Sequence, residues 1–168
     1  MTYFSYSEWA ETERSDELVR LDKKRVEGFA LHWPAIKIPV RTVSAVKVAL
    51  RAIREDHIKV QGWADIAYQL AFDQMGNIYQ LRGLRFRSAA NGDRDVNERF
   101  CAFVLMVSET EKPTTELVRK VNTTLKNARE DFYARGNRVV GHKDIRPEPT
   151  ACPGPFVYDL IQDRTFHV

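Results

Sequence analysis

The residues best equipped for chemistry lie towards the C-terminal end of the chain, in Gly141-His142-Lys143-Asp144 and Thr150-Ala151-Cys152-Pro153-Gly154. An imidazole and a thiol on one loop stiffened by Pro147 and Pro149 are side chains that zinc prefers. Two such ligands need only one more protein partner to form a catalytic site with an open fourth position. His32, at the end of the apolar run Phe29-Ala30-Leu31-His32-Trp33 and just ahead of Pro34, is the best third ligand. Residue type alone leaves a plainer reading open: a histidine in an apolar run is commonly a hydrogen-bonded core residue, and a cysteine before Pro-Gly a small buried one. The remaining histidines read differently. His57 falls on an apolar helical stripe and is expected to pack there with its nitrogens bonded to neighbours, and His167 is expected at the surface of the C-terminal tail.

These residues need a scaffold that brings a strand end to a distant loop. The run ending at Trp33 reads as a buried strand feeding a loop. Val43, Val46, Leu50, Ile53 and His57 follow one helical face, with Gly62 as the stop signal. Ile66, Tyr68, Leu70 and Phe72 alternate with smaller or polar residues, and Gly76-Asn77 turns the chain into Ile78 to Leu81, which predicts a hairpin. Phe100 to Val107 is apolar on both faces, as a central covered strand would be. A second helix carries Leu117, Val121, Leu125, Ala128 and Phe132 on one face and stops at Gly136. A strand follows at Arg138–Gly141, then a closing helix at Pro155–Ile161 with proline in its first turn. Alternating strands and helices predict an α/β chain, with a central mixed β-sheet flanked by helices.

A length of 168 residues suits one domain. Residues 1–27 read as a charged N-terminal arm or helix packed on the domain, anchored by Trp9 and Leu18, and residues 28–168 as the domain itself. The arm is acidic, with seven carboxylates against five bases from Ser5 to Glu27, while the whole chain carries a net charge of +3. Such a small, well-mixed excess is too weak to argue for nucleic acid, and with no basic stripe interleaved with aromatics in the sequence none is expected as a partner. Two cysteines make no disulfide framework. No apolar stretch approaches the roughly 20 residues of a membrane span and no secretory signal is visible, so a cytoplasmic monomer without membrane insertion is expected.

Six blocks in order, spanning about residues 30 to 155, carry a resemblance. They are His32 in Ala30-Leu31-His32-Trp33-Pro34-Ala35, Gln61-Gly62-Trp63-Ala64-Asp65-Ile66-Ala67-Tyr68, Asp73-Gln74-Met75-Gly76-Asn77-Ile78-Tyr79, Arg82-Gly83, Gly141-His142-Lys143-Asp144 and Cys152-Pro153-Gly154. Together they resemble the zinc-dependent N-acetylmuramoyl-L-alanine amidases of the type-2 amidase and peptidoglycan-recognition superfamily, most of all the small phage endolysins. The resemblance implies a single amidase-like domain with a Zn2+ site in a groove, the ligands falling on His32, His142 and Cys152. It implies cleavage of peptidoglycan, or of muropeptides, between N-acetylmuramic acid and the L-alanine of the stem. Tyr68 falls where such amidases carry a tyrosine near the metal. Relatives that only bind peptidoglycan commonly lack the cysteine, so Cys152 speaks for catalysis.

The sequence also departs from the family pattern. Thr150 stands where many relatives place a lysine that contacts the substrate carbonyl. Ser88-Ala89-Ala90 stands for Ser-His-Ala, and Ala102 and Phe103 occupy the neighbourhood of a glutamate found in some relatives. Tyr68 and Thr150 are therefore the expected catalytic donors. Arg82, Arg85 and Arg87, with Arg94, Lys143 and Arg146, are candidates to meet the anionic substrate, or else simply form a solvated basic surface. Two other roles remain compatible with these residues: a non-catalytic peptidoglycan-binding or regulatory module of the same fold, and a cytoplasmic muropeptide-recycling amidase. For a phage-encoded chain, the expected location is the host cytoplasm until lysis.

Overall fold

The computed structural model describes residues 2–132, 138–146 and 148–168. Gly136 and Pro147 lie outside the described residues, as does the Phe132 side chain. The elements run β1 (Tyr3–Phe4), α1 (Tyr6–Ala10), β2 (Gly28–His32), α2 (Val43–Lys59), β3 (Leu70–Phe72), β4 (Ile78–Gln80), α3 (Arg94–Arg99), β5 (Phe100–Leu105), α4 (Thr115–Phe132), β6 (Arg138–Gly141) and α5 (Pro155–Gln162). Short 3-10 turns occupy Lys23–Arg25 and His142–Asp144.

Every residue of β5 is buried, which places that strand inside the sheet. The order is β1-β4-β3-β5-β2-β6, parallel throughout except for the antiparallel β3–β4 hairpin. The expected mixed sheet flanked by helices is therefore present. Side chains alternate across a strand, so each face of β5 meets a different layer. Cys101, Phe103 and Leu105 join Phe29, Leu31 and Phe72 in a core closed by Leu117, Val121 and Leu125 of α4 and Val157 and Ile161 of α5. Val104 and Met106 take the other face with Ala71 and Tyr79, where α1 and α2 supply Trp9, Val46 and Leu50. Because Phe29 and Leu31 point to the α4 side, the same alternation turns His32 to the α2 side.

The hairpin is shorter than its sequence pattern predicts. Ile66 to Tyr68 run beside the sheet without a partner strand, because other groups take their backbone bonds. Arg82 donates from Nε to Ile66 O and from a terminal nitrogen to Asp65 O, and the Ala67 N–H donates to His57 Nδ1. The sequence reading also missed α3, whose first turn is capped by Asp93 accepting from the Val96 N–H at 2.9 Å. The charged opening stretch supplies β1 to the sheet edge and α1 to the α2 layer. Trp9 is fully buried, its indole donating to Gln80 O, and Leu18 is buried as well. Among the described residues no helix is long and apolar enough to cross a membrane.

Asp65 ties these parts together. Fully buried, it accepts from the Tyr6 hydroxyl at 2.8 Å, Arg54 Nε at 3.0 Å, and the Ser15 and Ile66 N–H groups. Asp65→Ala leaves Arg54 and Tyr6 without their acceptor and is expected to cost about 3–5 kcal/mol, the range for breaking a buried ion pair. Urea unfolding measures this, and a loss of less than about 1 kcal/mol, the value of an exposed pair, would show that the network is dispensable.

Candidate metal centre

Sheet register brings the histidines together. β2 and β6 are parallel neighbours with Leu31 opposite Gly141, and His32 and His142 are each the next residue along. Their rings stand 4.4 Å apart, centroid to centroid, at the carboxyl ends of the strands. In open α/β sheets this is the edge where ligands bind. Backbone bonds then return the loop so that Cys152 joins them: the Lys143 N–H donates to Cys152 O at 3.0 Å, and the Gly154 N–H to Ala151 O at 2.7 Å. Asp144 braces the turn, accepting from the Gly141 N–H and the Tyr158 hydroxyl, each at 2.8 Å. Gly154 is obligatory here, since its φ is +81° and a Cβ would lie 2.6 Å from the Trp33 indole.

The three donor atoms all lie within 4.8 Å of one another. His32 Nδ1 is 3.6 Å from Cys152 Sγ. Zinc bonds of about 2.0–2.1 Å to nitrogen and about 2.3 Å to sulfur, set at a tetrahedral angle, place the two ligand atoms about 3.6 Å apart. The same separation serves an S–H···N contact in the metal-free chain. His142 Nε2 is buried with no hydrogen-bond partner among the described residues, an orphan of the kind an ion resolves.

The protonation states suit a cation. Burial, then repulsion from His142, pushes His32 down to about 3, and burial, with Arg146 nearby, pushes His142 down to about 4. Both rings are therefore neutral and ready to donate lone pairs. Burial pushes the Cys152 thiol up to about 12, against the smaller opposing effects of a backbone hydrogen bond from Trp33 and the positive charge of Arg146. The start of α5 does not by itself make a thiolate of Cys152, so that charge has to be drawn out by a bound cation, with release of a proton.

The cluster sits in a groove of about 590 Å³ walled by Trp33, Asp56, His57, Trp63, Tyr68, Glu109, Arg146 and Thr150. That volume is within the usual range for ligand sites. The Tyr68 ring lies 5.3 Å from that of His32. Burial and the neighbouring Cys152 raise the Tyr68 pKa, so its hydroxyl stays a donor. Thr150 Oγ1 accepts from the Cys152 N–H at 3.2 Å and keeps its own proton to give.

His57 packs as expected, against Trp63 at 4.8 Å, but it also forms part of the groove wall. Its Nδ1 accepts from the Ala67 N–H at 3.0 Å, which leaves the neutral ring's proton on Nε2. Its position in the last turn of a helix leading into the Gln61–Tyr68 block was the available signal. The proposed basic contacts are mostly elsewhere. Arg82 is buried, its three nitrogens donating to the carbonyls of Ile66, Asp65 and Arg87. Arg87 and Arg94 pair with Glu98, and Arg85 lines a separate cavity beside the hairpin. Lys143 is exposed, with its ammonium over the Tyr158 ring. Of the basic candidates only Arg146 lines the groove.

Three neutral histidines, His32 and His142 buried and His57 half-buried, imply a pH effect. His57 is also pushed down by burial, to about 4. In the unfolded chain each titrates near 6.5, so below that pH the unfolded state binds more protons and stability falls as pH falls towards the folded values. The metal-free protein is expected to lose up to about 1.4 kcal/mol per pH unit for each of His32 and His142 well below pH 6.5, and less for the partly solvated His57. Urea midpoints in chelator at pH 7 and pH 5.5 test this, and equal midpoints would contradict it.

A scan of protein-family models finds no match to the chain. Among curated proteins, the chain is 27% identical over 116 residues to a pig (Sus scrofa) N-acetylmuramoyl-L-alanine amidase, covering 67% of this chain and 19% of that protein. It is 26% identical over 114 residues to rat (Rattus norvegicus) peptidoglycan recognition protein 1, covering 67% of this chain and 61% of that one. The chain thus spans about a fifth and about three fifths of these two relatives. Among solved structures, peptidoglycan recognition protein-LE in complex with tracheal cytotoxin, a monomeric diaminopimelic acid-type peptidoglycan, superposes with a TM-score of 0.84. That match is 23% identical and covers 96% of this chain and 92% of the other.

Proposed function

We propose that this chain, a relative in sequence and fold of the type-2 amidase and peptidoglycan-recognition superfamily, is a zinc-dependent N-acetylmuramoyl-L-alanine amidase. It acts as a small lysin of the phage-endolysin type, releasing stem peptides by cutting the bond between N-acetylmuramic acid and L-alanine. One observation carries the reading: two neutral imidazoles and a thiol converge within 4.8 Å in the floor of a substrate-sized groove. Peptidoglycan binding is supported by the tracheal cytotoxin held by the structural relative. In this reading the chain works as a monomer and stays in the host cytoplasm until lysis.

His32, His142 and Cys152 would hold zinc, which when bound would supply a Lewis acid for the amide carbonyl and a water of pKa about 7. The protein's own side chains do the rest. Tyr68 donates its hydroxyl to the oxygen on which negative charge develops, and Thr150, which lines the same groove, offers a second donor. His57 presents a fixed Nε2–H to an acceptor on the substrate. Arg146 at the rim meets stem-peptide carboxylates.

The test compares intact sacculi with soluble muropeptides, with and without chelator, on protein purified without chelator. The expected result is about one zinc per chain, the stoichiometry of a three-ligand catalytic site, and chelator-sensitive release of stem peptides from sacculi. Wall binding with an unchanged muropeptide profile would instead indicate a recognition module. Activity confined to soluble muropeptides would indicate a recycling amidase.

A further inference from the structure

His32 is held from behind as well as from the groove. Its Nε2 lies 2.9 Å from Asn91 Oδ1, and both side chains are buried. The direction of this hydrogen bond follows from groups that can act only one way. Asn91 Nδ2 is 2.8 Å from the Phe100 carbonyl oxygen, which can only accept. That fixes the amide with its oxygen towards His32, so the proton of the bond belongs to His32 Nε2. In the neutral ring Nδ1 is then bare, and it is the atom that faces Cys152 Sγ at 3.6 Å.

Asn91 is itself locked in this sense. Nδ2 also donates to Ser88 Oγ at 3.2 Å, and the Ser88 hydroxyl donates to Asn97 Oδ1 at 2.8 Å. That oxygen accepts in addition from the Asn91 N–H at 3.0 Å, while Asn97 Nδ2 donates to Asp93 O at 2.6 Å. Turning either amide over would set donor against donor or acceptor against acceptor at a backbone group. Ser88 thus serves in a segment that otherwise offers only alanines to the groove. On His142 it is Nε2 that is unpartnered among the described residues and so left free as a ligand atom.

We propose that Asn91 is a positioning residue for the metal centre: it holds His32 as the Nε2–H tautomer and so presents Nδ1 as a ready-made ligand, with Ser88 and Asn97 fixing Asn91. Bonds of this kind orient a ligand and raise its basicity, and losing one typically weakens metal binding by about 10–100-fold. The consequence for zinc rests on the functional reading above, but the tautomer does not.

The experiment is two-bond 1H–15N correlation NMR on the full-length, 15N-histidine-labelled protein, as purified and after chelation. It is paired with zinc affinity by competition against a chromophoric chelator. Wild type is expected to show His32 protonated at Nε2 in both states. Asn91→Leu is expected to lose that single tautomer and bind zinc about 10–100-fold more weakly. Asn91→Asp, which keeps an acceptor for Nε2 but sets a carboxylate oxygen against the Phe100 carbonyl, is expected to keep the Nε2–H tautomer and recover part of the affinity. His32 protonated at Nδ1 in the wild type overturns the proposal whether or not any variant folds, as does an Asn91→Leu protein with unchanged tautomer and affinity. A wild type that holds the Nε2–H form yet takes up no zinc supports the Asn91 assignment and removes the zinc reading.

Discussion

Cys152→Ser is expected to purify without zinc and to release stem peptides from sacculi at least about 1,000-fold more slowly than the wild type. The figure follows from the several kcal/mol that a metal Lewis acid contributes, at about 1.4 kcal/mol per decade of rate. A serine hydroxyl has nearly the shape of the thiol but does not become an anion at neutral pH, so the site keeps its outline and loses its charged ligand. Little of the fold depends on the sulfur, whose hydrogen-bonding contacts among the described residues are a 3.6 Å approach to His32 and a 4.0 Å approach to the Trp33 carbonyl. In chelator, the two proteins are therefore expected to melt together. With zinc at about 100 times its dissociation constant, the wild type alone is expected to gain about 2.7 kcal/mol. Metal analysis, melting and muropeptide release are read on the same preparations. Wall hydrolysis persisting in Cys152→Ser would remove the metal-centred reading altogether.

The elements that carry this site were largely legible in the chain, but their meeting was not. The unbroken apolar run of β5 and the helical stripes of α2 and α4 predict the layers, because a strand covered on both faces is apolar throughout and burial on a helix face leaves a periodic trace. His32 and Cys152 are 120 residues apart, and only the parallel register of β2 and β6 and the returning loop unite them. No local pattern encodes a register between distant strands, so the family resemblance supplied that link. Arg82 shows the opposite failure. An arginine after a hairpin looks like a surface charge, yet here it replaces a missing strand partner for the backbone of residues 65 and 66. Asn91 left no trace, because an asparagine before a glycine reads as a turn residue. Its role exists only through the orientation of its amide.

Tyr68→Phe is expected to keep the zinc and the fold and lower kcat by about 100- to 1,000-fold, the range for losing one donor to a developing oxyanion. The substitution removes a single oxygen. The ring keeps its contacts with His32 at 5.3 Å and His57 at 5.7 Å, so melting and zinc content should match the wild type. Among the described residues the Tyr68 hydroxyl has no hydrogen-bond partner, which leaves it free to donate to substrate; a packing tyrosine would usually have found one. Burial and the proximity of Cys152 raise its pKa, so it is protonated across the working range and acts as a donor rather than a base. The loss should therefore appear in kcat, with KM nearly unchanged, since a bond formed mainly to the charged transition state contributes little to ground-state binding. A rise in KM at constant kcat would make Tyr68 a binding residue. Wild-type kinetics would return it to the core and leave Thr150 as the donor to examine.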